Sequence, residues 1–251
     1  MTELQGLHAV VTGGGSGIGA AVAASLLAGG ARVTLMGRTL DRLQVQQAAL
    51  GGDVAVQAID IGDEVSVKAA FAAVGQVDIL VNNAGQVEAA PLHRTSLALW
   101  QQMLNVNLTG TFLCSREVMA GMSERGFGRL INVASTAALK GYAYVAAYCA
   151  AKHGVVGLTR AMALELARKG VTVNAVCPGY TETDIVAQAV ATISEKTGRS
   201  AEAARAELAA SNPQGRLVQP EEVAASVLWL ARRDSAAITG QAIAVCGGEL
   251  M

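Results

Sequence analysis

The sequence predicts an α/β fold: one doubly wound domain, with a seven-stranded parallel sheet, helices on both faces and a helical lid. Three observations point there. Short runs rich in Val and Ile alternate with longer Ala-rich segments of helical period. A glycine cluster, Thr12-Gly13-Gly14-Gly15-Ser16-Gly17-Ile18-Gly19, joins the first strand to the first helix. Hydrophobic residues make up 52% of the 251 and charged residues 16%, ample apolar material for a large core.

Each element follows in chain order. The first strand spans 8–11, and the helix after the glycines spans 18–28. A second strand at 32–36 leads to a helix at 41–50 that stops at Gly51-Gly52. The third strand is 54–59, and Asp63 caps a helix running towards Val74. A strand at 77–81 precedes a long helix at 97–125, and a strand at 129–133 precedes another at 144–168. The sixth strand is 171–177, the last helix 220–231 and the seventh strand 242–246. Right-handed crossovers wind these into one sheet, and no linker or repeat divides residues 1–251. Between about 180 and 218 there is no strand, only polar, Ala-rich helical sequence. A connection that long in a compact domain suggests a lid over a binding site.

The charge and the cysteines exclude several classes. A formal net charge of −1 speaks against nucleic acid as a partner. No apolar run reaches membrane-spanning length, and the start, Met1-Thr2-Glu3-Leu4-Gln5-Gly6, has no leader pattern. Cys114, Cys149, Cys177 and Cys246 lie far apart, which suits scattered buried thiols and neither disulfides nor a metal site. The plain expectation is a soluble cytoplasmic protein.

The glycine loop suits a phosphate. Glycines let the backbone turn sharply and approach a pyrophosphate at a helix N-terminus, where free N–H groups and the dipole favour anions. The spacing of Gly13, Gly17 and Gly19 is G-x3-G-x-G rather than G-x-G-x-x-G, so the loop alone also fits another nucleotide, such as a methyl donor. The second strand ends Met36-Gly37-Arg38-Thr39, without the carboxylate that takes a ribose 2′-hydroxyl in NAD sites. A guanidinium grips a 2′-phosphate, so Arg38 favours NADP(H) over NAD(H) unless it is only an exposed helix-start residue. Ser16 in the loop is neutral and adds no second phosphate clamp.

Tyr148 and Lys152 stand four apart in a helical segment and share one face. A free Tyr titrates near ~10, and a neighbouring cation typically shifts such a group by ~1–3 units towards its anion. Lys152 can therefore tune Tyr148 as an acid/base. Ser135, at the end of the fifth strand, can hold a substrate oxygen. His153 invites a Ser–His hydrolase reading, but no GxSxG surrounds Ser135 and no carboxylate is placed to orient the ring.

Together these residues resemble the short-chain dehydrogenase/reductase family, whose fold is Rossmann-type. The matches run in family order over nearly the whole chain. They are Thr12 to Gly19 as TGxxxGIG, Asp60, Asn82-Asn83-Ala84-Gly85, Asn107, Ser135, Tyr148 with Lys152, Asn174, and Pro178-Gly179 with Thr183. The resemblance implies an oxidoreductase that moves a hydride between a nicotinamide cofactor and a carbonyl or alcohol substrate. It implies that Tyr148 protonates the carbonyl oxygen, Ser135 fixes it, Lys152 binds the nicotinamide ribose, and Asn107 holds a relay water. It places Gly13, Ser16, Gly17 and Ile18 at the pyrophosphate, Asp60 and Ile61 at the adenine, and Asn83, Ala84 and Gly85 by the adenine-side ribose. Pro178, Gly179, Thr181 and Thr183 border the nicotinamide. The two long helices imply a homodimer or homotetramer, although an internal core would account for the same apolar faces.

Within the family the chain looks most like ketoreductases of aromatic polyketide and 3-oxoacyl type. Gln86-Val87-Glu88 departs from the glycine-rich stretch of polyketide enzymes there. Gln86, Ala137, Tyr142, Tyr144 and Tyr180 are the candidate substrate contacts, and Lys196, Arg199 and Arg205 on the lid could meet a carrier phosphate or only solvent. Three other readings remain: the same chemistry run oxidatively with NAD, a non-catalytic dinucleotide-binding protein, and a methyltransferase.

Overall fold

The computed structural model describes residues 3–251, so that Met1 and Thr2 of the start read above lie outside the described residues. Seven parallel strands form one sheet: β1 (His8–Thr12), β2 (Arg32–Gly37), β3 (Val54–Ala58), β4 (Ile79–Asn82), β5 (Gly128–Val133), β6 (Val171–Pro178) and β7 (Ala242–Val245). Their order is β3-β2-β1-β4-β5-β6-β7. The winding reverses between β1 and β4, which opens a crevice at the carboxyl ends of those strands.

Strand residues divide alternately between two cores, as a period of two requires. Ala9, Val11, Ile79, Val81, Ile131 and Val133 pack under α1 (Gly17–Ala28), α2 (Leu40–Leu50) and α9 (Pro220–Ala231). Val10, Leu80, Leu130 and Val173 point the other way, under α3 (Glu64–Val74), α5 (Gly110–Arg125) and α6 (Ala146–Leu166). Buried on both faces, these strands read as unbroken apolar runs. Asp63 caps α3 as expected, accepting from Val65 N–H.

Both long helices differ from the sequence expectation, and β4 begins two residues later than expected, at Ile79. The predicted helix at 97–125 divides into α4 (Leu97–Leu104), a π-helical turn at Asn105–Thr109, and α5. The extra residue per turn there lets buried Asn107 reach the loop after β4. The helix expected at 144–168 begins at Ala146, because Tyr144 sits in the left-handed region at φ 67°. Its carbonyl instead accepts from Ala90 N–H at 2.7 Å. The lid consists of α7 (Asp184–Thr197) and α8 (Ala201–Ala209), and it returns to the body through a Thr181–Val218 bridge. No helix among the described residues is long and apolar enough to cross a membrane.

Candidate active site

The glycine loop brings backbone close to the crevice, with Ser16 exposed at its end. Gly13 and Gly17 take positive φ of 66° and 52°. A Cβ at Gly19 would lie 2.2 Å from Gly13 O, so nothing larger fits as the helix starts. Ser16 flanks the first turn of α1 without a side-chain cap, which leaves its N–H groups to an anion. From beneath, Asn83 locks the loop: its amide donates to Thr12 O at 3.0 Å and Gly13 O at 3.2 Å. The N–H groups of Asn83 and Ala84 both donate to Thr12 Oγ1. From above, Thr183 Cγ2 would be 3.1 Å from a Cβ on Gly17, so the start of the lid covers the loop. Loop, helix terminus and cover fit a dinucleotide pyrophosphate.

At the end of β2, the Arg38 side chain is exposed and makes no ion pair or hydrogen bond among the described residues. A second guanidinium, absent from the sequence reading, lies four residues on. Arg42, in the first turn of α2, lies with its Cβ 3.5 Å from where a Gly15 Cβ would be, and pairs with Asp184 of the lid at 3.7 Å. The signal was an i,i+4 Arg pair across a helix start, visible only once α2 is placed over the loop. Asp60 is exposed and caps the following turn through Gly62 N–H at 2.9 Å, and Ile61 is buried under Gly110.

Ser135, Tyr148 and Lys152 converge where β5 ends and α6 passes over it. Ser135 Oγ accepts from Ala137 N–H at 3.1 Å, which orients the hydroxyl and accounts for buried Ala137. Burial pushes the Tyr148 phenol up to about 12, against a lowering hydrogen bond from Ser135, while Cys149, Cys177 and Tyr180 raise it further. Burial also pulls Lys152 down to about 8, slightly offset by Cys177. Its Nζ donates to Val133 O at 2.8 Å and lies 5.7 Å from the Tyr148 ring centre. The sequence expectation that Lys152 lowers the Tyr148 phenol is thus outweighed by desolvation in the protein alone.

Asn107 joins this group through the loop. Its Oδ1 accepts from Gln86 N–H at 3.1 Å, and its amide donates to Gln86 O at 2.9 Å and Met103 O at 3.0 Å. A Cβ on Gly85 would fall 2.8 Å from Asn107 Oδ1 and 3.7 Å from Lys152 Nζ, so Gly85 keeps the two apart at backbone thickness. Asn82, by contrast, serves the scaffold: it donates to Ser115 and Asn132, and Asn132 donates to Thr159.

At the far end, Pro178 closes β6, Gly179 N–H donates to Val245 O, and Thr181 Oγ1 donates to Gly179 O at 2.9 Å. Thr183 Oγ1 donates to Thr181 O at 3.2 Å. The Tyr142 and Tyr180 rings meet edge to face at 6.1 Å, whereas Tyr144 is 65% exposed. His153 bonds its own helix at Cys149 O, 2.9 Å, as a structural histidine does. Arg199 pairs with Glu207 and Arg205 with Glu182, which commits two of the three lid cations within the protein.

This glycine cradle and Ser–Tyr–Lys set sit on the right fold, and the chain belongs to the short-chain dehydrogenase family, whose model matches residues 7–194. It is therefore an NAD(P)-dependent oxidoreductase acting on CH–OH groups and the corresponding carbonyls. The chain is 43% identical to ketoacyl reductase 1 assigned to the granaticin polyketide synthase of Streptomyces violaceoruber, over 96% of this chain and 92% of that protein. It is 38% identical to the 3-oxoacyl-(acyl-carrier-protein) reductase of Vibrio cholerae, over 99% of each chain. Among solved structures, an actinorhodin polyketide ketoreductase variant with NADPH superposes with a TM-score of 0.93, at 41% identity over 97% of both chains.

Proposed function

We propose that the protein is an NADP(H)-dependent ketoreductase acting on a 3-oxoacyl thioester or an aryl ketone. The observation that carries this reading is the convergence of Ser135, Tyr148 and Lys152 at the end of β5, with Lys152 Nζ 5.7 Å from the Tyr148 ring centre and Ser135 hydrogen-bonded to its phenol. At neutral pH a protonated phenol backed by an ammonium can give a proton to a carbonyl oxygen, and the same pair takes one from an alcohol in the reverse reaction. The kinship with polyketide and 3-oxoacyl reductases supports the substrate class.

In this reading Ser135 donates a hydrogen bond to the substrate oxygen, and Tyr148 delivers its proton there as negative charge develops. Lys152, behind the phenol, steadies the phenolate that remains and returns a proton to it. When bound, the cofactor supplies the hydride to the carbonyl carbon. Ser16, Gly17 and Ile18 hold its pyrophosphate with backbone N–H groups, while Gly13, whose N–H donates to Met36 O at 2.7 Å, turns the loop beneath it. Asp60 and Ile61 flank the adenine, Asn83, Ala84 and Gly85 border a ribose, and Pro178, Gly179, Thr181 and Thr183 frame the carboxamide. Both amide hydrogens of Asn107 are committed to Gln86 O and Met103 O, so any relay water rests on its oxygens. Asn107 also positions the Gly85-Gln86 turn.

Arg38, with Arg42 across the loop, would grip a 2′-phosphate, which favours NADP(H). Outward apolar side chains on the long helices, Phe112 at 42% and Leu164 at 82% exposure, support assembly into a homodimer or homotetramer. Titration of the purified protein with NADPH and NADH, read by nicotinamide fluorescence, tests the cofactor assignment. NADPH binding at least tenfold tighter is expected. Equal or tighter NADH binding would return Arg38 to the surface and turn the reading towards oxidation with NAD.

A further inference from the structure

A hydrogen-bond chain runs from the C-terminal tail to the turn that follows Ser135. Ser135 caps a short 3-10 turn, Thr136–Ala138, in which Ala138 N–H donates to Ser135 O at 2.9 Å. The N–H groups of Leu139 and Lys140 both donate to Thr136 O. The buried Thr136 side chain ties this turn to distant parts of the chain. Its Oγ1 lies 2.6 Å from the Tyr142 hydroxyl, which in turn lies 2.6 Å from Glu249 Oε1.

A phenol has a single hydrogen to give, and a carboxylate can only accept. The Tyr142 hydroxyl therefore donates to Glu249 Oε1 and accepts from Thr136 Oγ1, which gives the chain a direction. Lys140 Nζ pairs with the same Oε1 at 2.8 Å and stands 4.9 Å from the centre of the Tyr142 ring. Burial, and after it the bond to Glu249, pushes the Tyr142 phenol well up, so it keeps the proton that it donates.

The far end of the chain is anchored. The Glu249 side chain is only 2% exposed. It stands in the turn after β7, where Glu249 N–H donates to Cys246 O at 3.2 Å. Gly247 in that turn lies too close to Asn212 Oδ1 for any Cβ, and a Cβ on Gly179 would fall 3.2 Å from Glu249 Oε2. The tail is thus packed against the segment after α8 and against the end of β6. The Tyr142 ring is held as well, edge to face on Tyr180.

Ser135 must aim its hydroxyl, which hydrogen-bonds the Tyr148 phenol. The aim is set by the turn, because Ser135 Oγ accepts from Ala137 N–H at 3.1 Å. A shift of the turn carries the hydroxyl with it, and small misplacements are costly in catalysis. We propose that Glu249 is a positioning residue: through Tyr142 and Thr136 it holds the turn that aims the Ser135 hydroxyl. The inference rests on the ketoreductase reading of the Ser135–Tyr148–Lys152 site.

The test is a double-mutant cycle in kcat, with NADPH, for reduction of acetoacetyl-CoA as a 3-oxoacyl thioester and α-tetralone as an aryl ketone. Tyr142→Phe keeps the ring and breaks the chain. It should lower kcat about tenfold, with KM and NADPH affinity within about threefold of wild type. Glu249→Gln leaves Tyr142 an uncharged, weaker acceptor and should lower kcat by a smaller factor, about threefold. Made in the Ser135→Ala protein, neither substitution should change kcat by as much as about twofold, because the hydroxyl that they aim is gone. A residue that only stabilises the fold would act equally in both backgrounds. Equal losses in the two backgrounds would overturn the proposal, and so would a wild-type kcat for Tyr142→Phe or a loss that falls on NADPH affinity. If Tyr142→Phe does not fold, Glu249→Gln carries the same cycle. Reduction of neither ketone by the wild-type protein would overturn the proposal together with the ketoreductase reading, and it would appear as a missing rate rather than as equal losses.

Discussion

Lys152 Nζ donates to the carbonyl of Val133 at 2.8 Å while lying 5.7 Å from the ring centre of Tyr148, one helical turn back on α6. The ammonium is thus held by the sheet and presented to the phenol, at the expense of its own hydration. Burial lowers its pKa from 10.5 to about 8. Between those values the unfolded chain binds the extra proton. Stability therefore rises as pH climbs through that window, and the full cost of the buried ammonium is present below pH 8.

Lys152→Met removes that cost along with the bond to Val133. In the cofactor-free protein it should raise stability at pH 7 by roughly 1–2 kcal/mol, or about 3–6 °C in Tm. The gain should vanish as pH approaches 10.5, the ordinary value of the group. Thermal melts of both proteins across pH 7–10.5 check this, and a Tm lowered by the substitution at pH 7 would contradict it.

Ser135→Ala separates two roles of one hydroxyl. Losing the hydrogen bond to the developing oxyanion should reduce kcat by about 10²–10³-fold with NADPH affinity unchanged. Losing the acceptor for Ala137 N–H should cost about 1 kcal/mol of stability. Steady-state kinetics and a melt distinguish the two, and a large loss of NADPH affinity would assign Ser135 to the cofactor instead.

Gly37→Asp should move cofactor preference towards NADH. The new Cβ meets only Leu43, at 3.4 Å or more, so the variant has room to fold. Its carboxylate would repel a 2′-phosphate and accept from a 2′-hydroxyl. The ratio of NADPH to NADH dissociation constants should fall at least tenfold, and an unchanged ratio would remove the strand end from the specificity account.

Gly19→Ala should be poorly tolerated. Its Cβ would sit 2.2 Å from Gly13 O and 2.5 Å from Asn83 Nδ2, so the loop must shift. A stability loss of about 1–3 kcal/mol is expected, together with weaker binding of either nicotinamide cofactor. Denaturant titration and the fluorescence titration read the two effects, and a wild-type result in both would contradict the cradle geometry.

Much of this was legible in the sequence because it is local. β1 to β7 announce themselves as Val/Ile runs, and Pro220 and Ala231 mark the ends of α9 as expected. Tyr148 and Lys152 share a face by spacing alone. What was not legible depends on tertiary contact. The π-helical turn arises because Asn107 is held between Gln86 and Met103, which are joined only after the loop folds back. Tyr144 takes a left-handed backbone to meet Ala90, against its own preference. The burial that raises the Tyr148 phenol in the protein alone was not legible, because helical spacing reports the nearby cation and says nothing of how dry the site is.

The central claim is that Tyr148 delivers the proton, and Tyr148→Phe tests it most directly, because the ring stays and only the hydroxyl goes. The account predicts NADPH affinity within about threefold of wild type and kcat for ketone reduction lower by about 10²–10⁴-fold. Ketone reduction at near wild-type rates by this variant would contradict it.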